Sequence, residues 1–172
     1  MENEVRPDPQ DADELHDLLV TAVGLTPTEA WRSWFDQLVE ERRAVTVHLG
    51  NETRWGAVER RTSLELLFPH ATVVPDHRFT LGSGPSDRDS AAAEMVRGHL
   101  EYRGPSTCTQ LSSATGLLEP DVLMALNRLE AEGSVLRGHF TDANGEEFCA
   151  RRLLARIHSY SRQRLRREIE PV

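Results

Sequence analysis

The sequence predicts a mostly α protein with small β elements, an α+β fold in which one short pattern is used twice. Three observations predict it. In each half of the chain, helical stretches with apolar residues three and four apart precede a pair of short strand-like stretches. The second pair flanks Asn144-Gly145, a strong local signal for a tight hairpin. Between the halves, residues 69–88 are rich in Pro, Gly and Ser, the composition of a connecting segment.

In the first half, residues 1–68, Asp13-Glu14 lead into LHDLLVTAV, a helix ended by Gly24. LTPTEA is a short cap and turn, with Pro27 suited to a first helical position. WRSWFDQLVEERRA then places Trp31, Trp34, Phe35, Leu38 and Val39 on one helical face. VTVHL and RWGAVE read as two strands around the turn GNET. The three Trp and Phe positions of the helix have core spacing, and Trp55 on the second strand is read as core too.

The second half, residues 89–172, repeats the order more cleanly. SAAAEMVRGHLEYRG is a helix stopped at Gly104. STCTQLSSATG has Thr107 three residues before Gln110, a capping-box pattern, and stops at Gly116. EPDVLMALNRLEAEG carries Pro120 in its first turn, places Val122, Ala125, Leu126 and Leu129 at helical spacing, and stops at Gly133. SVLRGHFT and EEFCA are the strands around DANG. Three helices and a hairpin make a helix-turn-helix with a β wing. The expected architecture is therefore tandem winged-helix units, 1–68 and 89–172, joined by the 69–88 linker and followed by a basic C-terminal helix.

Charge is unevenly spread. The chain carries 20 basic residues, all arginine, against 28 acidic ones, a net charge of −8. Residues 150–172 nevertheless hold seven arginines and two glutamates. Such asymmetry points to an anionic partner. At about 100° per residue, Leu153, Leu154, Ile157, Tyr160 and Leu165 share one side of this last helix, with Arg152, Arg156, Arg166 and Arg167 roughly opposite. That arginine face reads either as a solvated surface balancing the acidic bulk or as a phosphate contact, for which the guanidinium fork is well shaped.

Several classes are disfavoured. No apolar run approaches the roughly 20 residues of a membrane span. The N-terminus, MENEVRPDPQDADEL, is acidic where a signal peptide is basic, so a cytoplasmic setting is expected. Cys108 and Cys149 give no disulfide framework and no zinc spacing. His70, Asp76 and His77 share a loop without forming a ligand set, and no nucleophile elbow is present. No catalytic residue, metal or cofactor is expected. The third helix of the second half carries Glu119, Asp121, Glu130 and Glu132 against Arg128, which disfavours insertion into a major groove, although Asn127 has the chemistry to read adenine. On the wing, Arg137 and His139 alternate on one strand face and are candidate nucleic-acid contacts.

The closing stretch EEFCARRLLARIHSYSRQRLRREIEPV, directly after a wing, resembles a signature of the C-terminal region of large helicase-related (Lhr) proteins, bacterial ATP-dependent DNA helicases implicated in genome repair. LEAEGSVLRGHF matches that family's recognition-helix-to-wing segment, and LHDLL, WFDQLVEERRAVTV and TRWGAVE look like the unit before it. The resemblance covers most of the chain and is most specific over residues 129–172. It implies a region that follows the helicase motor within a series of winged helices, similar in architecture to certain winged-helix DNA glycosylases. The motor itself is not in this sequence: a phosphate loop of the G-x-x-x-x-G-K-[ST] type needs a lysine, and there is none. The expectation is a non-enzymatic accessory region whose partners are DNA and the rest of a helicase chain. Arg137, His139, Arg151, Arg152, Arg156, Arg166 and Arg167 are its expected nucleic-acid-binding residues. The alternative is an interaction module that packs on the motor or on copies of itself.

Overall fold

The computed structural model describes residues 8–76, 84–85, 87–141 and 145–153. The fold is α+β, with two small antiparallel sheets and helices packed around both.

The first half begins with α1, Ala12–Ala22. Asp11 caps it, its carboxylate accepting the Glu14 N–H at 2.8 Å, and Asp13 and Glu14 complement the dipole in the first turn. Ala12, Leu15, Leu19 and Ala22 form its buried face. The chain leaves α1 through Val23, at φ 69°, into the two-residue strand β1, Gly24–Leu25. The expected turn over 25–30 is not a separate helix. It tightens into a 3-10 turn, Glu29–Trp31, that runs directly into α2, Arg32–Glu40. Six residues between Gly24 and Trp31 leave no length for a helix and its turn. Phe35 and Leu38 are the buried positions of α2, and the Phe35 ring stacks on Trp55 with centroids 4.2 Å apart. Trp31, Trp34 and Val39 pack at the edge of that cluster.

Strands β2, Ala44–Leu49, and β3, Glu52–Ala57, form a hairpin, with Gly50 at φ 62° in its turn. Two further elements lie beyond the expected pattern. Residues 61–67 form a helix, α3 (Arg61–Leu67), which buries Ser63, Leu64 and Leu67. The interval expected to be a linker contributes β4, Thr72–Val74, paired antiparallel with β2. The first sheet therefore runs β1-β3-β2-β4.

The second half begins with α4, Arg88–Arg103, capped by Asp87 and stopped at Gly104. Strand β5, Ser106–Thr107, leads into α5, Cys108–Thr115, where the expected capping box forms: Thr107 Oγ1 accepts the Gln110 N–H at 3.1 Å and Gln110 Oε1 accepts the Thr107 N–H at 2.9 Å. Gly116 ends α5 in the left-handed conformation. Helix α6, Glu119–Ala131, buries Val122, Ala125, Leu126 and Leu129 as their spacing predicts. Strands β6, Val135–Gly138, and β7, Glu147–Ala150, complete a sheet of order β5-β7-β6.

The halves are welded rather than strung. One buried cluster includes Val23, Leu64 and Leu67 from the first half and Met95, Val96, Leu100 and Leu126 from the second. Helix α4 makes this possible because its middle buries residues on several faces: Ala91, Ala92, Ala93, Met95, Val96, Gly98, His99 and Leu100. It packs on α1 and α3 of the first half and on α6 of the second. Gly98 lets the α4 backbone close on α1; a Cβ there would overlap the Thr21 carbonyl. His99 sits 2.8 Å from the Gly24 carbonyl oxygen. Arg54 reaches from β3 to the end of α5, donating to the Ala114 carbonyl at 2.9 Å with its guanidinium laid against Gly116.

Candidate nucleic-acid interface

The expected contact residues fall in three places. On the wing, Arg137 is exposed on β6, but its guanidinium is already engaged. It reaches Glu130 at 3.1 Å, Glu146 at 3.3 Å and Asn127 Oδ1 at 2.8 Å, and stands 5.0 Å above the Phe148 ring. Asn127, the candidate adenine reader, therefore accepts a bond from Arg137. His139 is exposed one residue beyond the strand.

The wing is also tied from inside. The buried Glu147 carboxylate accepts the N–H of Phe140 at 2.8 Å, the N–H of Thr141 at 2.7 Å and the Thr141 hydroxyl at 2.6 Å. Burial alone would raise the Glu147 carboxyl, yet these bonds and the neighbouring His139 hold it below the usual carboxylate range.

Helix α6 presents a mixed surface. Its charges are largely internally paired: Asp121 with Arg88 at 3.1 Å, Glu132 with Arg128 at 3.3 Å, and Glu130 with Arg137. Exposed apolar residues stand beside these pairs, Met124 at 62% and Leu123 at 43% on the helix and Leu118 at 72% at its N-cap.

The other basic positions divide sharply. Arg43 is spent on Asp13 at 2.7 Å and Glu41 at 3.2 Å. Arg61 is buried, clamping the Pro75 and Val73 carbonyls and Glu65. By contrast, Arg151 and Arg152 are exposed and, among the described residues, their side chains have no hydrogen-bond or ionic partner. They follow β7 directly, and the Arg151 N–H donates to the Ser134 carbonyl at 2.9 Å, which fixes where the basic segment leaves the sheet. Arg156, Arg166 and Arg167 lie outside the described residues.

Arg151 and Arg152 open onto a cleft of about 700 Å³ at the seam between the halves. Its lining also carries Arg60, Arg97, Glu94 and Glu101. Arg60 is held in place, donating to the Val20 carbonyl at 2.8 Å with Glu94 at 3.6 Å. Arg97, from the middle of α4, is exposed and, like Arg151 and Arg152, has no side-chain partner among the described residues. Sequence reasoning missed Arg97. It stands alone in the middle of a helix whose other arginines, Arg88 and Arg103, lie at its ends, and nothing near it in the chain marks residues 151 and 152 as its neighbours.

Among the described residues, no three His, Cys, Asp or Glu side chains gather into a group able to hold a metal ion, and no helix is long and apolar enough to cross a membrane. Burial pushes the Cys149 thiol up to about 11, away from nucleophilic chemistry.

No family model matches the chain. It is similar to a protein of Mycolicibacterium smegmatis named "Lhr helicase/ probable uracil glycosylase", with 29% identity over 143 residues. The match covers 81% of this chain and 9% of that protein. The chain thus corresponds to a short stretch of a much longer helicase-related protein.

Proposed function

We propose that this chain is a non-catalytic accessory region of an Lhr-type ATP-dependent DNA helicase that helps hold nucleic acid during DNA repair in the cytoplasm. On this reading the halves before and after residues 69–88 are two winged-helix units. The second half supports it with a helix, strand, helix, helix and hairpin in order. The first half has a matching hairpin, with α1, a 3-10 turn and α2 before it in place of three helices, and α3 after it.

The observation that carries the nucleic-acid reading is the pair Arg151 and Arg152. In a chain of net charge −8, carboxylates are abundant, yet among the described residues these two guanidinium groups have no side-chain partner. They also lead into the most basic part of the sequence. His139 on the wing is a secondary contact, and Arg137 holds the wing in shape beside it. The test is a salt titration of binding to fluorescent single- and double-stranded DNA. If four phosphates are neutralised, the plot of log K against log salt has a slope of about −3 to −4. Changing Arg152, Arg156, Arg166 and Arg167 together to alanine should flatten it. An unchanged slope, or no binding at low salt, would overturn the reading.

A second reading, an interaction module that packs on the helicase motor or on itself, is favoured by the exposed Leu123 and Met124 of α6 and Leu118 at its N-cap. Leu123→Glu with Met124→Glu should then abolish association with the motor, or self-association in sedimentation, while leaving DNA binding intact.

A further inference from the structure

We infer that the seam cleft seats the sugar–phosphate backbone of a single nucleic-acid strand, with Arg97, Arg151 and Arg152 as its phosphate ligands. This deepens the nucleic-acid reading above and rests on it.

The charge of the cleft is opposite to that of the molecule. Four arginines and two glutamates line it, in a chain of net charge −8. Glu94 is already committed, to Arg60 at 3.6 Å and to the Ser63 hydroxyl at 3.4 Å. That leaves Arg97, Arg151 and Arg152 facing Glu101 on the same lining. Arginine offers a planar fork of donors that matches phosphate oxygens, so three guanidinium groups lining one cleft suit successive phosphates.

The arginines also stand on fixed elements. Arg97 precedes Gly98, whose contact with Thr21 pins α4 to α1. Arg151 is held through its own N–H by Ser134 at the start of the β6 strand. A rigid mount lowers the cost of ordering the ligands on binding.

Size and lining select the form of nucleic acid. A volume of about 700 Å³ admits a few backbone units. A duplex, whose major groove alone is about 12 Å wide, can only touch the rim. Among the described residues, no aromatic side chain lines the cleft, so these residues offer the bases no stacking platform. Phosphates enter and bases face outwards, which predicts binding indifferent to sequence.

The test uses the full chain and a fluorescent oligo-dT. Arg97→Ala should weaken binding about tenfold and reduce the salt slope by about one unit. Arg97→Glu should abolish binding, and Arg97→Ala should leave the melting temperature nearly unchanged, because among the described residues the Arg97 side chain has no hydrogen-bond or ionic partner. A duplex of the same length should bind more weakly and respond less to Arg97→Ala. If oligo-dT binding depends on Arg156, Arg166 and Arg167 but not on Arg97, the cleft is overturned and the nucleic-acid reading stands. If the unmodified chain binds no nucleic acid at low salt, both fall. Equal losses for duplex and single strand would overturn the single-strand assignment.

Discussion

Gly98 of α4 and Thr21 of α1 meet backbone to backbone: any side chain at position 98 would overlap the Thr21 carbonyl. This contact sets the distance between the two halves and brings Arg97 to the edge of the seam. Gly98→Ala must push α4 away from α1 and should cost at least about 3 kcal/mol, the upper range for overpacking in a core. Urea unfolding measures it. A loss below about 0.5 kcal/mol would show that the helices separate without resistance.

Arg54 is the second strut of the seam. It is 6% exposed, its pKa is lowered by burial, and it satisfies the Ala114 carbonyl while covering Gly116. Arg54→Met keeps much of the volume but removes the donor, and should cost about 1–3 kcal/mol. Arg54→Ala should cost more, because it also leaves a cavity beside Gly116. Equal losses from both variants would assign Arg54 a charge role without a packing one.

Folding stability should fall in mild acid because of His99. Burial lowers its pKa from 6.5 to about 4, the Gly24 contact opposes that only partly, and Arg103 and Arg54 add to it. Between these values the unfolded chain takes up a proton that the folded one refuses, so stability drops as pH falls from 6.5 towards 4. The loss at pH 4 is about 3 kcal/mol, and above pH 7 the group contributes no pH dependence. His99→Gln, which keeps a donor for Gly24, should remove this component from the difference between the two stability–pH curves. Parallel curves would show that His99 titrates alike in the folded and unfolded chain.

Arg137→Ala should act on the wing before it acts on DNA. Its bonds to Glu130, Glu146 and Asn127 are partly solvent-exposed, so their loss should cost about 1 kcal/mol. DNA affinity should change less than twofold. Glu147→Ala is expected to be worse, about 2 kcal/mol or more, since it strips the acceptor from two backbone N–H groups and a hydroxyl. Amide hydrogen exchange at Phe140 and Thr141 reports the second effect directly. An Arg137→Ala variant with intact stability and lost DNA binding would reverse the assignment.

The second half is the more legible in sequence because its punctuation is local. Thr107 with Gln110, Gly116, Pro120 and Gly133 mark ends that need only neighbours within a turn, and each stands where its chemistry places it. Helix α3 and strand β4 are harder to read. Seven residues carry too little periodicity to announce a helix, and β4 exists by pairing with β2, some 26 residues earlier. For the candidate site, the basic character of residues 150–172 is visible in composition, whereas Arg97 acquires meaning only from its neighbours in space.

By itself, then, the sequence determined the helices with strong caps and stops, both hairpins and the place where positive charge accumulates. These depend on backbone hydrogen bonds and side-chain periods that act over a few residues. Tertiary structure decided that the halves share one core, that Arg137 and Arg61 are consumed within the fold, and that Arg97, Arg151 and Arg152 line one cleft. Which charges stay free depends on carboxylates brought close from distant parts of the chain, and on a glycine that permits two helices to touch.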